Sequence, residues 1–405
     1  MNRRKFITKT GQSLALLNMT GLVQASPDSK TIHNDVAPEE VIYRTLGRTG
    51  LQVPIVSMGV MNANIPGLIV RSYDKGIRLF DTAWYYQNGM NEKMLGEALD
   101  KHQLRDDVKI VTKIYLKETE RDLYQPEIKQ LFIERFEESL RRLKTDYVDV
   151  LIHHAVSTVE EQNNPYILEA MEELKAAGKF KYSATSLHGD DAALIDDVRE
   201  KGFYDIIMVM FNIAFAEDRR LQTAMERAAE AGHGIIAMKT QCGGGGYMWW
   251  EKHEDSRQSI GELNHKAMLK WVLQHKYIAT AIPGYTTYDQ LDENFSVAGN
   301  LAFSNEEKSF FNRAQVQLAQ SFCVQCAKCV DSCPHHNDIP TLMRTYMYAY
   351  QYNNMQHAMA TEKAIPKNLG LMNCTTCDSC SAKCKRSVNL AQRIEALKEL
   401  NFQHS

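Results

Sequence analysis

Eight short apolar runs recur along the chain, each followed by a polar loop and an amphipathic helical stretch. They are Ile55–Gly59, Ile77–Ala83, Val108–Ile114, Tyr147–His154, Phe180–Ser186, Ile206–Asn212, Gly234–Thr240 and Ile278–Gly284. Strands buried on both faces of a parallel sheet read as continuous apolar runs rather than as alternating ones. Helical patterns separate them, Ile128–Leu143 and Val159–Ala177 among the clearest. Pro126 stands just ahead of the first of these, where a fixed φ and a missing N–H suit the opening turn of a helix. Eight such units between residues 42 and 303 predict an α/β fold, a (β/α)8 TIM barrel. An open doubly wound sheet is the alternative, but no Gly-x-Gly-x-x-Gly follows the first run.

The 405 residues are 44% hydrophobic and 24% charged, enough apolar material for a large core and too much for a disordered chain. With 47 Lys and Arg against 50 Asp and Glu, the formal net charge of −3 gives no electrostatic footprint for nucleic acid. No apolar run approaches the roughly 18 residues that a spanning helix needs, so no transmembrane segment is expected. The first 25 residues read as an address instead. Arg3-Arg4-Lys5-Phe6 precedes a short apolar centre, Leu14 to Val23, and Val23-Gln24-Ala25 places small residues at the spacing of a cleavage site. The paired arginines resemble a twin-arginine signal, which predicts export to the periplasm or beyond with a cofactor already inserted. Residues 26–41 are polar, contain prolines and read as a linker.

Barrel enzymes place their chemistry at the C-terminal ends of the strands. Those ends carry Asp81, Lys113, His153 and His154, with Tyr86 five residues beyond Asp81. Lys239 closes the seventh run, followed by Cys242 and Gly243 to Gly246, and Trp249 and Trp250 lie shortly after. The glycines allow a close backbone approach to a ligand or form a flexible loop, and the tryptophans wall a pocket or pack between domains.

The segments Thr45-Leu46-Gly47-Arg48-Thr49-Gly50-Leu51, Phe80-Asp81-Thr82-Ala83-Trp84-Tyr85-Tyr86, Leu95-Gly96-Glu97-Ala98-Leu99, Val111-Thr112-Lys113 and Tyr147 to His154 keep a distinctive order and spacing. Gly178-Lys179-Phe180-Lys181-Tyr182, Ile282-Pro283-Gly284 and Glu293-Asn294 follow. Together they resemble the aldo-keto reductase superfamily over residues 42 to about 300. The resemblance implies a catalytic tetrad of Asp81, Tyr86, Lys113 and His154. A phenol ionises near pH 10, and the expectation is that the Lys113 ammonium lowers this value so that Tyr86 can act as proton donor or acceptor. Asp81 would hold Lys113, and His154 would orient the carbonyl oxygen. For a nicotinamide cofactor the resemblance implies Ser186, Asn212, Lys239, Gly284, Gln290, Glu293 and Asn294, with Leu187 and Met208 departing from the family's usual asparagine and glutamine. Gly284 and Gln290 stand where NADP-preferring relatives place cations, so NAD(H) is at least as well accommodated as NADP(H).

Eight of the nine cysteines fall between Cys323 and Cys384. Cys323-x-x-Cys326-x-x-Cys329-x-x-x-Cys333-Pro334 reproduces the bacterial ferredoxin run, and Cys374-x-x-Cys377-x-x-Cys380-x-x-x-Cys384 repeats it with Lys385 in place of proline. In two-cluster ferredoxins the fourth cysteine ligates the other cluster. This predicts two [4Fe–4S] clusters, one on Cys323, Cys326, Cys329 and Cys384 and the other on Cys374, Cys377, Cys380 and Cys333. A pair of four-cysteine zinc sites is the alternative. The intervening Ile339–Tyr352 reads as helix although Tyr346, Tyr348, Tyr350 and Tyr352 alternate as in a strand, and Ser304–Ala319 reads as a joining helix. Residues 304–405 thus form a helical, ferredoxin-like iron–sulfur domain.

The expected activity is interconversion of an alcohol and a carbonyl, a sugar among the candidates, with electrons relayed through the clusters to a redox partner protein. One alternative is a simple NAD(P)H carbonyl reductase with structural clusters. Another is a non-catalytic electron-transfer module on a retained barrel.

Overall fold

The computed structural model describes residues 40–116, 120, 126–241, 263–312, 322–352, 354–377 and 379–400. All of them lie in one compact unit. The expected signal over residues 1–25, most of the 26–41 linker, Cys242 with its glycines, Trp249, Trp250 and the end of the joining helix lie outside the described residues.

A short antiparallel hairpin, β1 (Tyr43–Thr45) with β2 (Gln52–Pro54), comes first. Eight parallel strands follow: β3 (Met58–Gly59), β4 (Leu79–Asp81), β5 (Lys109–Tyr115), β6 (Val148–Val156), β7 (Phe180–Leu187), β8 (Ile206–Met210), β9 (Gly234–Met238) and β10 (Thr280–Ala281). Each pairs with its sequence neighbours, and single bridges from Val56 to Ala281 and from Gly59 to Gly284 close the first strand on the last. Each of the eight runs coincides with a strand, although β5, β6 and β7 continue one or two residues past the end of theirs. β6 is buried over its whole length, as a strand covered on both faces must be.

Eight helices lie behind the strands: α1 (Pro66–Lys75), α2 (Met90–Lys101), α3 (Pro126–Leu143), α4 (Pro165–Ala176), α5 (Asp191–Lys201), α6 (Arg219–Glu230), α7 (His265–Gln274) and α8 (Tyr288–Phe295). α3 begins on Pro126 as its sequence predicts. The single helix expected over Val159–Ala177 is divided. A turn over Val159–Gln162 stops short of α4, because Asn164 caps α4 by accepting the Tyr166 N–H and Pro165 has no N–H to carry the first turn onward.

The turn joining β1 to β2 packs at the barrel's N-terminal end, with Leu46 fully buried against Gly234, the first residue of β9. Arg48 fastens it there through Asp205 at 3.0 Å and the carbonyls of Gly202 and Tyr204. Gly47 sits at φ +55°, and a Cβ on it would lie 2.3 Å from the Gly234 nitrogen and 2.5 Å from the Gly232 oxygen. Backbone strain and a backbone collision coincide there. Gly47→Ala is therefore expected to destabilise the fold by about 2–4 kcal/mol, read as a lowered denaturant midpoint.

The C-terminal region contains α9 (Ile339–Tyr346), which runs into a π-helical turn over Met347–Gln351, then α10 (Met355–Lys363) and α11 (Leu390–Glu399). Residues 305–312 are helical within the expected joining helix. The alternating tyrosines are helical, and helical geometry explains the alternation. Residues two apart on a helix face opposite sides while residues four apart share one. Tyr346 and Tyr350 stack at 4.8 Å toward a core of Cys329, Cys333, Cys374 and neighbouring aliphatics. Tyr348 and Tyr352 pair at 5.7 Å against the barrel core.

Candidate active site

Asp81 ends β4, Lys113 lies in β5, His154 lies in β6, and Tyr86 opens a short helical turn, Tyr86–Gly89. All four side chains are buried. That turn forces Gln87 and Asn88 to positive φ, and the Gln87 amide holds it by donating to the carbonyls of Met61 and Ala63. The Lys113 ammonium donates to Asp81 Oδ2 at 2.6 Å, to the Thr82 carbonyl at 2.7 Å and to Tyr86 Oη at 3.4 Å. Its three N–H donors thus have three acceptors, and the longest of the bonds goes to the phenol. The His154 ring meets the Tyr86 ring edge-on at 6.0 Å. Strand alternation turns its neighbour His153 the other way, toward Phe132 on α3 and the Tyr204 hydroxyl at 3.1 Å.

The electrostatics differ from the sequence expectation at one point. The Tyr86 phenol is pushed well above its usual range by burial, then by the Asp81 charge, so it is not lowered by Lys113. The reason is the distribution of bonds: the ammonium lies on Asp81, and the carboxylate that neutralises it also repels a phenolate. Burial pushes the Asp81 carboxyl up and the Lys113 ammonium down, and their attraction opposes both movements. His154 is held well below its ordinary value by burial and then by Lys113, which keeps the ring neutral at pH 7. Asp81 Oδ1 and His154 Nδ1 are buried without a hydrogen-bond partner among the described residues.

Tyr86, Asp81 and His154 open onto a cavity of about 110 Å³. His188, Lys239 and Met208 line its flank, and Tyr348 and Tyr352 reach it from the π-helical turn. The last two are held in place from both sides. Tyr348 packs edge-on to His357 at 4.1 Å, His357 Nε2 lies 3.1 Å from Tyr85 Oη, and Asn354 donates to Asn62 Oδ1 at 2.8 Å. Burial pulls His357 down to about 3, so it joins this contact as a neutral ring. None of these C-terminal residues was marked as a site residue by motif. The tyrosine spacing of four residues was the available signal. His188 likewise carried none beyond following the Ser183–Leu187 run.

The residues expected around a nicotinamide divide into two groups. Lys239 and Gly284 line the cavity. Ser186 and Asn212 are fully buried and used internally. Ser186 Oγ accepts the N–H of Ala155, the positive-φ residue at the irregularity in β6, while Asn212 donates to the Lys239 carbonyl and accepts the Ala214 N–H. Gln290, Glu293 and Asn294 lie on α8, where Gln290 Oε1 accepts the Thr286 N–H and Asn294 Oδ1 accepts from Gln241, itself a cavity residue, at 2.6 Å.

In the C-terminal region Cys323, Cys326, Cys329 and Cys384 surround one small void, and Cys333, Cys374, Cys377 and Cys380 surround a second. None of the eight is in a disulfide. The chain therefore crosses over at the fourth cysteine of each run. N–H groups point at the sulfurs, from Gln325 to Cys323 at 3.4 Å, from Arg386 to Cys384 at 3.4 Å and from the Asn337 amide to Cys374 at 3.2 Å. Four soft thiols with N–H donors behind them fit an iron–sulfur cluster. Arg386 also bonds the Ala214 carbonyl, which ties the first nest to the barrel loop after β8.

An eight-stranded α/β barrel with a buried Asp–Lys–Tyr cluster at its strand ends, joined to paired cysteine nests, defines an oxidoreductase. Residues 67–267 match the model of the aldo/keto reductase family, and residues 322–389 match that of a 4Fe-4S dicluster domain. The chain carries both domains in that order. It is 26% identical over 290 residues to L-galactose dehydrogenase of Arabidopsis thaliana, covering 65% of this chain and 89% of that protein. It is 28% identical over 220 residues to aldo-keto reductase AMT2 of Alternaria alternata, covering 44% of this chain and 59% of that one. The fold is similar to the holo form of aldo-keto reductase AKR11C1 from Bacillus halodurans, at a TM-score of 0.54 and 25% identity over 69% of this chain and 96% of that one.

Proposed function

We propose that the barrel interconverts a carbonyl and an alcohol with a nicotinamide nucleotide, and that two [4Fe–4S] clusters carry electrons between it and a redox partner outside the cytoplasm. The observation that carries this reading is the Lys113 ammonium bridging Asp81 and Tyr86 beside the cavity. A bound nicotinamide supplies the hydride, two electrons that add to the carbonyl carbon, and the oxygen left behind needs one proton. Tyr86 holds that proton, because burial keeps its phenol protonated. Lys113 faces the phenolate as it forms and offsets its charge, while Asp81 fixes the lysine. His154, neutral and beside Tyr86, donates a hydrogen bond to the carbonyl oxygen. Gly284 would let the nucleotide backbone approach the rim, and Glu293 and Asn294 would take its adenosine end. The clusters supply one-electron carriers, on Cys323, Cys326, Cys329 and Cys384 nearer the barrel and on Cys333, Cys374, Cys377 and Cys380 beyond. The likeness to L-galactose dehydrogenase of Arabidopsis thaliana supports a sugar as substrate, and the paired arginines at Arg3 and Arg4 support export by the twin-arginine route.

Titrating the purified, cluster-loaded protein with NADH and NADPH tests the reading. Binding of NADH at least as tight as that of NADPH is expected, because Gly284 and Gln290 offer no cation to a 2′-phosphate. A strong preference for NADPH would overturn the cofactor assignment. Absence of any nucleotide affinity would overturn the enzyme mechanism and leave an electron-transfer module.

A further inference from the structure

The cavity contains a cation that the proton-transfer chemistry does not use. Lys239 follows β9 with a positive φ of 53°, a conformation that side chains other than glycine adopt only when the surrounding structure holds them there. Its ammonium lies 2.9 Å from His188 Nε2, and no carboxylate lies within ion-pair distance of it among the described residues. What the side chain exposes faces the cavity. Burial brings this amine down to about 7. The groups facing it from the surrounding elements are His188 after β7, Asp191 on α5, Arg344 on α9, His357 on α10, and Lys113 and His154 from the barrel. Asp191 is the one acid among them. It accepts the Gly189 N–H, and burial raises it to about 7, so near neutrality it is only half ionised. Arg344 bonds the Thr341 hydroxyl and carries no ion pair among the described residues. Lys239 is itself about half protonated near neutrality, so the standing positive charge beside it is that of Arg344, and an anion at the cavity wall would hold the amine in its charged form.

The position of this charge gives it a role. The Tyr86 ring lies 6.0 Å from His154, His154 lies 6.4 Å from His188, and His188 touches Lys239. A row of rings thus leads from the proton donor to the ammonium in a cavity that Tyr348 and Tyr352 also line. We infer that Lys239, backed by His188, is the subsite for a carboxylate on the substrate, so that the barrel acts on a carbonyl or hydroxy compound bearing an acid group, such as a sugar acid, a few bonds from the reacting carbon. This rests on the proposed carbonyl chemistry for the reacting end only. It takes Lys239 out of the expected nucleotide site and assigns it to the substrate. The same cation chemistry would suit a nucleotide phosphate, and the test separates the two sources.

Benzoate serves as the probe carboxylate and benzamide as its neutral counterpart, each titrated calorimetrically into the cluster-loaded protein with and without saturating NADH. Benzoate is expected to bind the NADH complex at least as tightly as the free protein, and benzamide at least tenfold more weakly. Lys239→Met is expected to weaken benzoate at least tenfold with NADH affinity unchanged, and Lys239→Arg to retain benzoate binding. Should the methionine variant fail to fold, the wild-type protein still reports. At pH 8 benzoate binding is expected to take up a proton, seen as a dependence of heat on buffer ionisation enthalpy. Equal affinity for benzoate and benzamide would overturn the subsite. Mutual exclusion of benzoate and NADH, or loss of NADH affinity in Lys239→Met, would assign the ammonium to a nucleotide phosphate. Lys239-dependent benzoate binding without any NADH affinity would uphold the subsite and sink the nicotinamide reading instead.

Discussion

Tyr86→Phe is expected to cut carbonyl turnover by a factor of about 10² to 10⁴, the range that a positioned proton donor contributes, with nucleotide affinity essentially unchanged. The substitution removes one oxygen from a packed ring. The Tyr86 side chain lies edge-on to His154 and within 4.9 Å of the Lys113 ammonium, contacts that phenylalanine retains. What it loses is the proton, and nothing nearby replaces it. His154 is held neutral with a depressed value, and Lys113 is occupied by Asp81 and the Thr82 carbonyl. The same electrostatics set the pH profile. A phenol raised well above 10 stays protonated through neutral pH, and a histidine lowered well below 6.5 stays uncharged there. Carbonyl reduction is thus expected to show no titration of either group between about pH 7 and 9, whereas a phenol lowered by Lys113 would have given a falling limb in that interval. Unchanged steady-state turnover in Tyr86→Phe would discard the donor assignment, and an alkaline decline that disappears in that variant would discard the raised phenol.

The barrel was legible because buried parallel strands leave a local mark: each of the eight runs is rich in apolar residues without a strict alternation, so it can be read without knowing its partner. Asp81, Lys113 and His154 were legible for a related reason, since a strand end is a sequence position as well as a place on the rim. The raised Tyr86 phenol was not. Its environment includes Tyr348 and Tyr352, more than two hundred and fifty residues further on, and desolvation by a distant segment leaves no trace in the residues around Tyr86. Ser186 shows a use that its sequence position does not reveal. Its position matched a nucleotide contact, yet its hydroxyl accepts the Ala155 N–H at the irregularity after His154, so a residue expected at the cofactor shapes the strand that presents a catalytic ring. Ile339–Tyr352 was read as helix against the alternation of its tyrosines, and it is helical. On a helix the alternation divides the four rings between the cysteine core and the cavity, which is how one segment comes to serve both.

Cys384→Ser is expected to damage the cluster of Cys323, Cys326 and Cys329 while sparing that of its own sequence neighbours Cys374, Cys377 and Cys380. Proximity along the chain alone would suggest the reverse, whereas the ferredoxin-like run already predicts the crossover. In the fold, Cys384 shares its void with Cys323, Cys326 and Cys329, and it is Cys333 that completes the other nest. Serine offers a harder oxygen that holds iron poorly where four thiolates are wanted, so iron content is expected to fall toward half. The loss carries a structural cost, because the emptied nest adjoins the barrel. Arg386, two residues on, bonds the Ala214 carbonyl, and Phe322, one residue before Cys323, is buried in the barrel core. A lowered unfolding temperature is therefore expected for Cys384→Ser. For Cys333→Ser an equal iron loss is expected with a smaller effect on stability, since that nest packs against α11 and, among the described residues, no barrel strand lines it. Iron analysis with the electron paramagnetic resonance of the reduced proteins checks both. If Cys384→Ser and Cys377→Ser were to abolish the same signal and Cys323→Ser the other, the crossover would be wrong and each run would hold its own cluster.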